Sequence, residues 1–304
     1  MKKVLAIALL CAVSSFATWD KFPVQDAGKG EAKVGFGYWI NPEGADKTSI
    51  LGATLGARYS IIQGLEASLQ IPFPLSASAP GFDSSDPEKS ASCKAEGDFK
   101  CPPSYGPPVI GVRYWLPLGL GVGLDIALPL QGDAFPVGGM KDDAKNNSHL
   151  DIIPAVQYST NLTSELSIGA EVSLTIPGKV KDVDVDLLTG KTVETDVKPG
   201  MDLGIGVELD YAIGSITPYV GVDIALGLTK AKFGDIEAKE AAKTGIDLGL
   251  GAIYKINDSM GADIGVTLGF GGRYETETID MTTFKTETKS VMPITIQAHY
   301  SYYF

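Results

Sequence analysis

Beyond its first twenty residues the chain has no run of eighteen apolar residues, which excludes a transmembrane helix. It also lacks cationic excess. Against 37 acidic residues stand 25 basic ones, a formal net charge of −12, so nucleic acid is excluded as a partner by charge. Histidine is scarce, with only His149 and His299, and nothing indicates a metal site or a cofactor. What the 304 residues do have is 36 glycines together with many aromatic and β-branched residues, a composition unlike that of disordered chains.

The amino terminus reads as an export signal. Lys2 and Lys3 precede an apolar run over 4–13, and Ser15-Phe16-Ala17 places small residues at the −3 and −1 positions of a cleavage site. Cleavage after Ala17 is expected, giving a leader of residues 1–17 and a single domain of residues 18–304. Loss of Lys2 and Lys3 then takes the net charge from −12 to −14. Attachment of lipid at Cys11 is disfavoured by the bulk of Leu10 before it. Cys93 and Cys101 remain, in a polar stretch rich in Pro, Gly and Ser. In an oxidising compartment a disulfide between them is the favoured reading.

Period-two alternation dominates the rest. Val34, Phe36, Tyr38 and Ile40 share one face, with Lys33, Gly35, Gly37 and Trp39 opposite. The pattern recurs from Leu51 to Tyr59, Leu65 to Ile71, Ile110 to Leu116, Val122 to Leu128, Leu150 to Tyr158 and Leu166 to Ile176. Further copies run from Met201 to Tyr211, Ile216 to Leu226, Ile246 to Tyr254, Ala262 to Phe270 and Ile294 to Phe304. About twelve strands result, within a range of ten to fourteen. Five tight turns alternate with six longer connections, one of which is a loop of roughly 74–107. The fold expected is all-β, an antiparallel up-and-down transmembrane barrel with short periplasmic turns and long external loops.

The tyrosines choose lipid over a soluble core for the apolar face. Tyr59, Tyr114, Tyr158, Tyr211, Tyr254 and Tyr302 each end an even-numbered strand on that face, beside a short turn. A ring of amphipathic aromatics at one height is what a bilayer interface favours. The final strand closes the series, with Tyr300, Tyr302 and Phe304 in phase. It resembles the closing strand of Gram-negative outer-membrane β-barrels, in which a terminal Phe is recognised by the barrel-assembly machinery. That resemblance covers the chain after the leader and is porin- or transporter-like. It implies residence in the cell outer membrane, among lipid and lipopolysaccharide. In style the chain is similar to transporter barrels of aromatic-degradation pathways, with no short motif that fixes the subfamily.

The wet face carries glycine and carboxylates. Its acids are Glu66, Asp125, Asp151, Glu171 and Asp202, then Glu208, Asp210, Asp223, Asp247 and Asp263. Its bases are chiefly Lys33, Arg58 and Arg113. A lumen so lined is expected to pass small solutes passively, cations or neutral molecules in preference. The competing expectation is a polar network that plugs a structural or adhesive barrel. A phospholipase or protease is a distant third. Ser148 and His149 are adjacent and so point to opposite faces, and the position two after the histidine is Asp151 rather than a serine. Asp182, Asp184 and Asp186 begin like a calcium loop, but Leu187 and Val193 stand where a glycine and a glutamate belong, which leaves a solvated strand face.

Overall fold

The computed structural model describes residues 21–23, 26–41, 48–79, 82–83, 106–130, 150–185, 192–234, 236–237, 244–270, 274–280, 283–289 and 292–304. Twelve long strands form the wall: β1 (Gly30–Asn41), β2 (Thr48–Ile62), β3 (Leu65–Ala79), β4 (Val109–Trp115), β5 (Leu120–Ala127) and β6 (Asp151–Asn161). The second six are β7 (Leu166–Pro177), β8 (Asp202–Tyr211), β9 (Ile216–Gly227), β10 (Gly245–Asn257), β11 (Met260–Phe270) and β12 (Ile294–Tyr303). Each pairs antiparallel with its sequence neighbours, and β1 pairs with β12, so the sheet closes and no wall strand is left as an edge. Closure is what lets a sheet sit in hydrocarbon, because paired strands satisfy one another's backbone donors and acceptors.

The tight turns follow local chemistry. Gly64 and Gly119 hold φ of 83° and 78°, a left-handed conformation that a side chain resists. At the β6–β7 turn the Thr163 hydroxyl accepts from the backbone N–H groups of Glu165 and Leu166. Hydrogen bonds from Ser164 and Thr163 hold the Glu165 carboxyl below its ordinary range. On the opposite rim, Val180–Val185 and Thr192–Lys198 form a hairpin, extended to four strands by Lys232–Phe233 and Ile236–Glu237. A second hairpin pairs Tyr274–Asp280 with Thr283–Lys289.

One boundary differs from the sequence reading. The expected loop after Phe73 is still strand: β3 runs through Pro72 and Pro74 to Ala79. Prolines argue against an interior strand because they offer no ladder donor. Here β3 bonds to β4 only over Leu65 to Gln70, so above that point its second edge makes no bond to β4, and the prolines cost it nothing there. A register shift against β2 between Leu51 and Gly52 accommodates the irregularity.

Burial is inverted relative to a water-soluble domain. Among the described residues the most enclosed large side chains are Gln157 and Glu31, each 1% exposed or less; Glu66, Arg58 and Arg113 are buried as well, alongside Trp39, Ile50 and Trp115 in the same inward phase. Leu55, Val112, Val156, Leu250 and Ile264 are among the exposed ones. A soluble barrel would turn those faces round to bury the apolar set. An apolar exterior around a polar interior is stable only where the surroundings are lipid.

Candidate functional site: the lumen

The alternation that sends Val and Leu outward sends a polar set inward, and register fixes its order around the bore. Directly paired residues of adjacent strands hold their side chains side by side. One such row reads Gln157, Glu171, Gly206, Asp223 and Asp247 across β6 to β10. Another reads Glu31, Arg58, Ser68, Gly111 and Asp125 across β1 to β5.

In the second row and its neighbours the charges interlock. Arg58 Nε donates to Glu31 Oε2 at 2.7 Å, and Lys33 Nζ stands 3.7 Å from the other Glu31 oxygen. Arg113 Nη2 donates to Asp125 Oδ2 at 2.8 Å. Arg113 Nε and Nη1 and Asp125 Oδ1 are buried and find no hydrogen-bond partner among the described residues. Glu66, between Arg58 and Arg113 by strand order, completes a sequence of alternating sign. Charge pairs of this kind hold one another in place when water is largely excluded.

The far side is different. From β6 to β11 the inner face carries Asp151, Glu171, Asp202, Glu208, Asp210, Asp223, Asp247 and Asp263. Gln157 Nε2 donates to Glu171 Oε2, and His299 Nδ1 lies 2.7 Å from Asp263 Oδ1. Lys255 sits at the turn end of β10 and pairs with Asp258 outside the wall. All ten acids and three bases singled out in the sequence lie on wall strands in the inward phase.

Glycine plays a part the sequence did not disclose. Inward glycines are seats for larger neighbours. A Cβ at Gly35 would collide with the His299 ring and one at Gly111 with Asp125 and Ser68, while one at Gly123 would press on Arg113 and one at Gly121 on Trp115 at 3.0 Å. Tyr219 lies over both Gly251 and Gly265, with Gln297 beside it. Much of the volume that glycine leaves along these walls is therefore filled.

Into this bore comes a segment from outside the wall. Lys21 and Phe22 precede β1, yet Lys21 is only 7% exposed. Its Nζ is 3.0 Å from Asp223 Oδ1 on β9. The arm passes over Gly206, where a Cβ would fall 2.5 Å from Lys21 Cε, and over Gly169, where one would fall 2.8 Å from Lys21 Cβ. On the other side the Phe22 carbonyl accepts from Arg58 Nη1 of β2 at 3.3 Å. Strands β2 and β8 are diametrically placed among twelve, so the segment, packed on Gly169 and Gly206, is held between that wall and the Arg58 side chain reaching from the other. Sequence reasoning did not find the contacts of Lys21 and Phe22, because so short a segment has no periodicity to detect. It also passed over Glu31, which is in phase with Lys33 and could have been found by extending the alternation one step.

At the short-turn rim the six tyrosines all face outward and are exposed. Each pairs with the first residue of an odd-numbered strand: Tyr59 with Gly30, Tyr114 with Leu65, Tyr158 with Leu120, Tyr211 with Leu166, Tyr254 with Ile216 and Tyr302 with Met260. Phe304 joins them at the seam. It exchanges backbone hydrogen bonds with Gly30 at 2.9 and 3.0 Å. Its ring covers the place where Gly30 has no side chain and stacks on Tyr59 and Tyr302, at centroid distances of 6.4 and 6.2 Å. Cys93, Cys101, Ser148 and His149 lie outside the described residues.

Comparison with known proteins agrees with the architecture. Residues 147–290, a little under half of the chain, match the Opacity family porin protein. No curated protein matches in sequence. Among solved structures the chain is similar to an outer membrane channel from Pseudomonas putida F1, at 10% identity and a TM-score of 0.63, over 95% of this chain and all of that one. It is also similar to the CymD monoaromatic hydrocarbon channel, at 11% identity and a TM-score of 0.49, over 92% of this chain and 89% of that one. At 10% identity the likeness to the first is one of fold: a closed membrane barrel.

Proposed function

We propose that the protein is a passive channel of the outer membrane for small solutes, preferring cations or neutral molecules. The observation that carries this reading is the inverted burial: an apolar exterior around an interior of carboxylates, amides and guanidinium groups. Such a lumen replaces part of a solute's hydration, and its acidic excess raises the local concentration of cations. The match of the second half to a porin family supports the same reading.

Single-channel recording in planar bilayers tests it. Discrete conductance is expected, with a reversal potential in a salt gradient on the cation side. Folded protein that never conducts would sink the channel and favour a plugged structural or adhesive barrel, for which the crossing of Lys21 and Phe22 is the motivating observation.

Assembly belongs to the same proposal. Residues 1–17 direct export and are removed, and Tyr300, Tyr302 and Phe304 present the final strand to the barrel-assembly machinery. Residence in the outer membrane then brings the external rim against lipopolysaccharide. Deleting Phe304 removes both backbone bonds to Gly30 and the ring stack, and is expected to reduce the heat-modifiable form in membranes severalfold.

A further inference from the structure

Among the described residues, Lys21 is planted in the acidic arc of the lumen from outside the wall, and the wall is shaped for it. Gly206 lies between Glu171 and Asp223 in a row of paired strands. A side chain at Gly206 would occupy the path of the lysine arm, and one at Gly169 would displace its backbone. Two bare positions, on β7 and β8, thus open a trough that leads the amine to Asp223. Asp223 itself is about half exposed, so its second oxygen still faces the bore. The segment is held at both ends, by the lysine on β9 and by Arg58 at the Phe22 carbonyl on β2. A residue tied at one wall alone would line the bore. Tied at both, it obstructs it.

We infer that Lys21 determines the conductance and selectivity of the pore: seated on Asp223, it holds the amino-terminal segment across the lumen as a strap and offsets the carboxylates of the β7–β10 arc. The inference rests on the channel reading for its electrical consequence, but the strap itself is a statement about where the segment sits. Two effects follow from one contact. The strap narrows the passage, and its ammonium lowers the field that would otherwise draw cations and repel anions. Releasing the lysine therefore moves both quantities in a stated direction. Conductance rises, and preference for cations increases. A side chain that served only to stabilise the wall would change neither.

Lys21→Ala and Asp223→Asn break the contact from its two sides, and Lys21→Asp combined with Asp223→Lys restores it with the charges exchanged. In bilayer recordings Lys21→Ala is expected to raise single-channel conductance by about twofold and to shift the reversal potential further toward cations. The exchanged pair is expected to return conductance near the starting value. Unchanged conductance and reversal potential in Lys21→Ala overturn the inference.

A second readout needs no current. Phe22→Cys is challenged with a thiol reagent too large to enter the bore, against the unsubstituted chain to subtract Cys93 and Cys101. Labelling is expected to be slow in the otherwise unaltered barrel and on the order of tenfold faster with Asp223→Asn, because a strap with one anchor lost populates its released form more. Equal rates overturn the strap even in a protein that never conducts. Slow labelling that Asp223→Asn accelerates, in a silent barrel, retains the strap and rejects the channel.

Discussion

The two halves of the lumen are built from the same alternation and solve opposite problems. On β1 to β5 three cations, Lys33, Arg58 and Arg113, face three carboxylates, Glu31, Glu66 and Asp125, and the strand order interleaves them. On β6 to β12 eight carboxylates share their face with His299 and with Lys255, which is committed to Asp258 at the turn. The first half is neutral and interlocked, so its charges fix one another. The second half is acidic in excess by residue type, and Lys21 brings a cation to it at Asp223. Where charges balance, the wall is a scaffold; where they do not, it is a field.

That contrast is open to attack by substitution. Arg58→Ala strikes the balanced half and leaves Glu31 buried without its guanidinium, a loss of about 3–5 kcal/mol in denaturant unfolding from detergent micelles. A much smaller loss would mean that water screens this half as well. Outward substitutions provide the control. Leu55→Arg on β2 and Leu250→Arg on β10 are each expected to cost about 2–4 kcal/mol in lipid, equally on the two halves, since the asymmetry is confined to the inside. Unequal costs would place the difference in the wall itself. Gly265→Val pushes Tyr219 from its seat and is expected to cost about 1–3 kcal/mol, most of which Tyr219→Ala in the same protein returns. Smallest in stability is the change in the acidic half. Glu208→Gln with Asp210→Asn is expected to alter stability by no more than roughly 0.5 kcal/mol while moving the reversal potential toward zero. A large loss of stability there would make those carboxylates scaffold after all.

Most of the architecture was legible in the sequence because closure in lipid leaves so little freedom. Twelve alternating segments separated by turns such as Gln63-Gly64 and Ile213-Gly214-Ser215 correspond to the twelve wall strands, and Tyr302 with Phe304 lie at the seam with β1. The inward phase of Asp223 and Arg113 follows from the same counting. What could not be read is which inward residues touch. Alternation says that Gly35 and His299 face the bore; only register says that the ring rests on the glycine. The stretch after Phe73 reads as loop in the sequence, yet Pro72 and Pro74 are tolerated in a strand because the upper part of β3 has no bonds to β4. Lys21 was hidden for the opposite reason: its place is set by tertiary contacts of β2, β7, β8 and β9, and no local pattern encodes them.

The seats formed by inward glycines carry a consequence for how such a sequence can drift. A glycine under a ring and the ring above it behave as a single inheritable unit, because either can change cheaply only when the other does. Gly35 and His299, Gly121 and Trp115, and the trio of Gly251, Gly265 and Tyr219 should therefore vary as linked columns in any alignment of related barrels, bulk appearing on one strand as it disappears from the next. The outward leucines, each facing fluid lipid instead of a fitted neighbour, should vary independently.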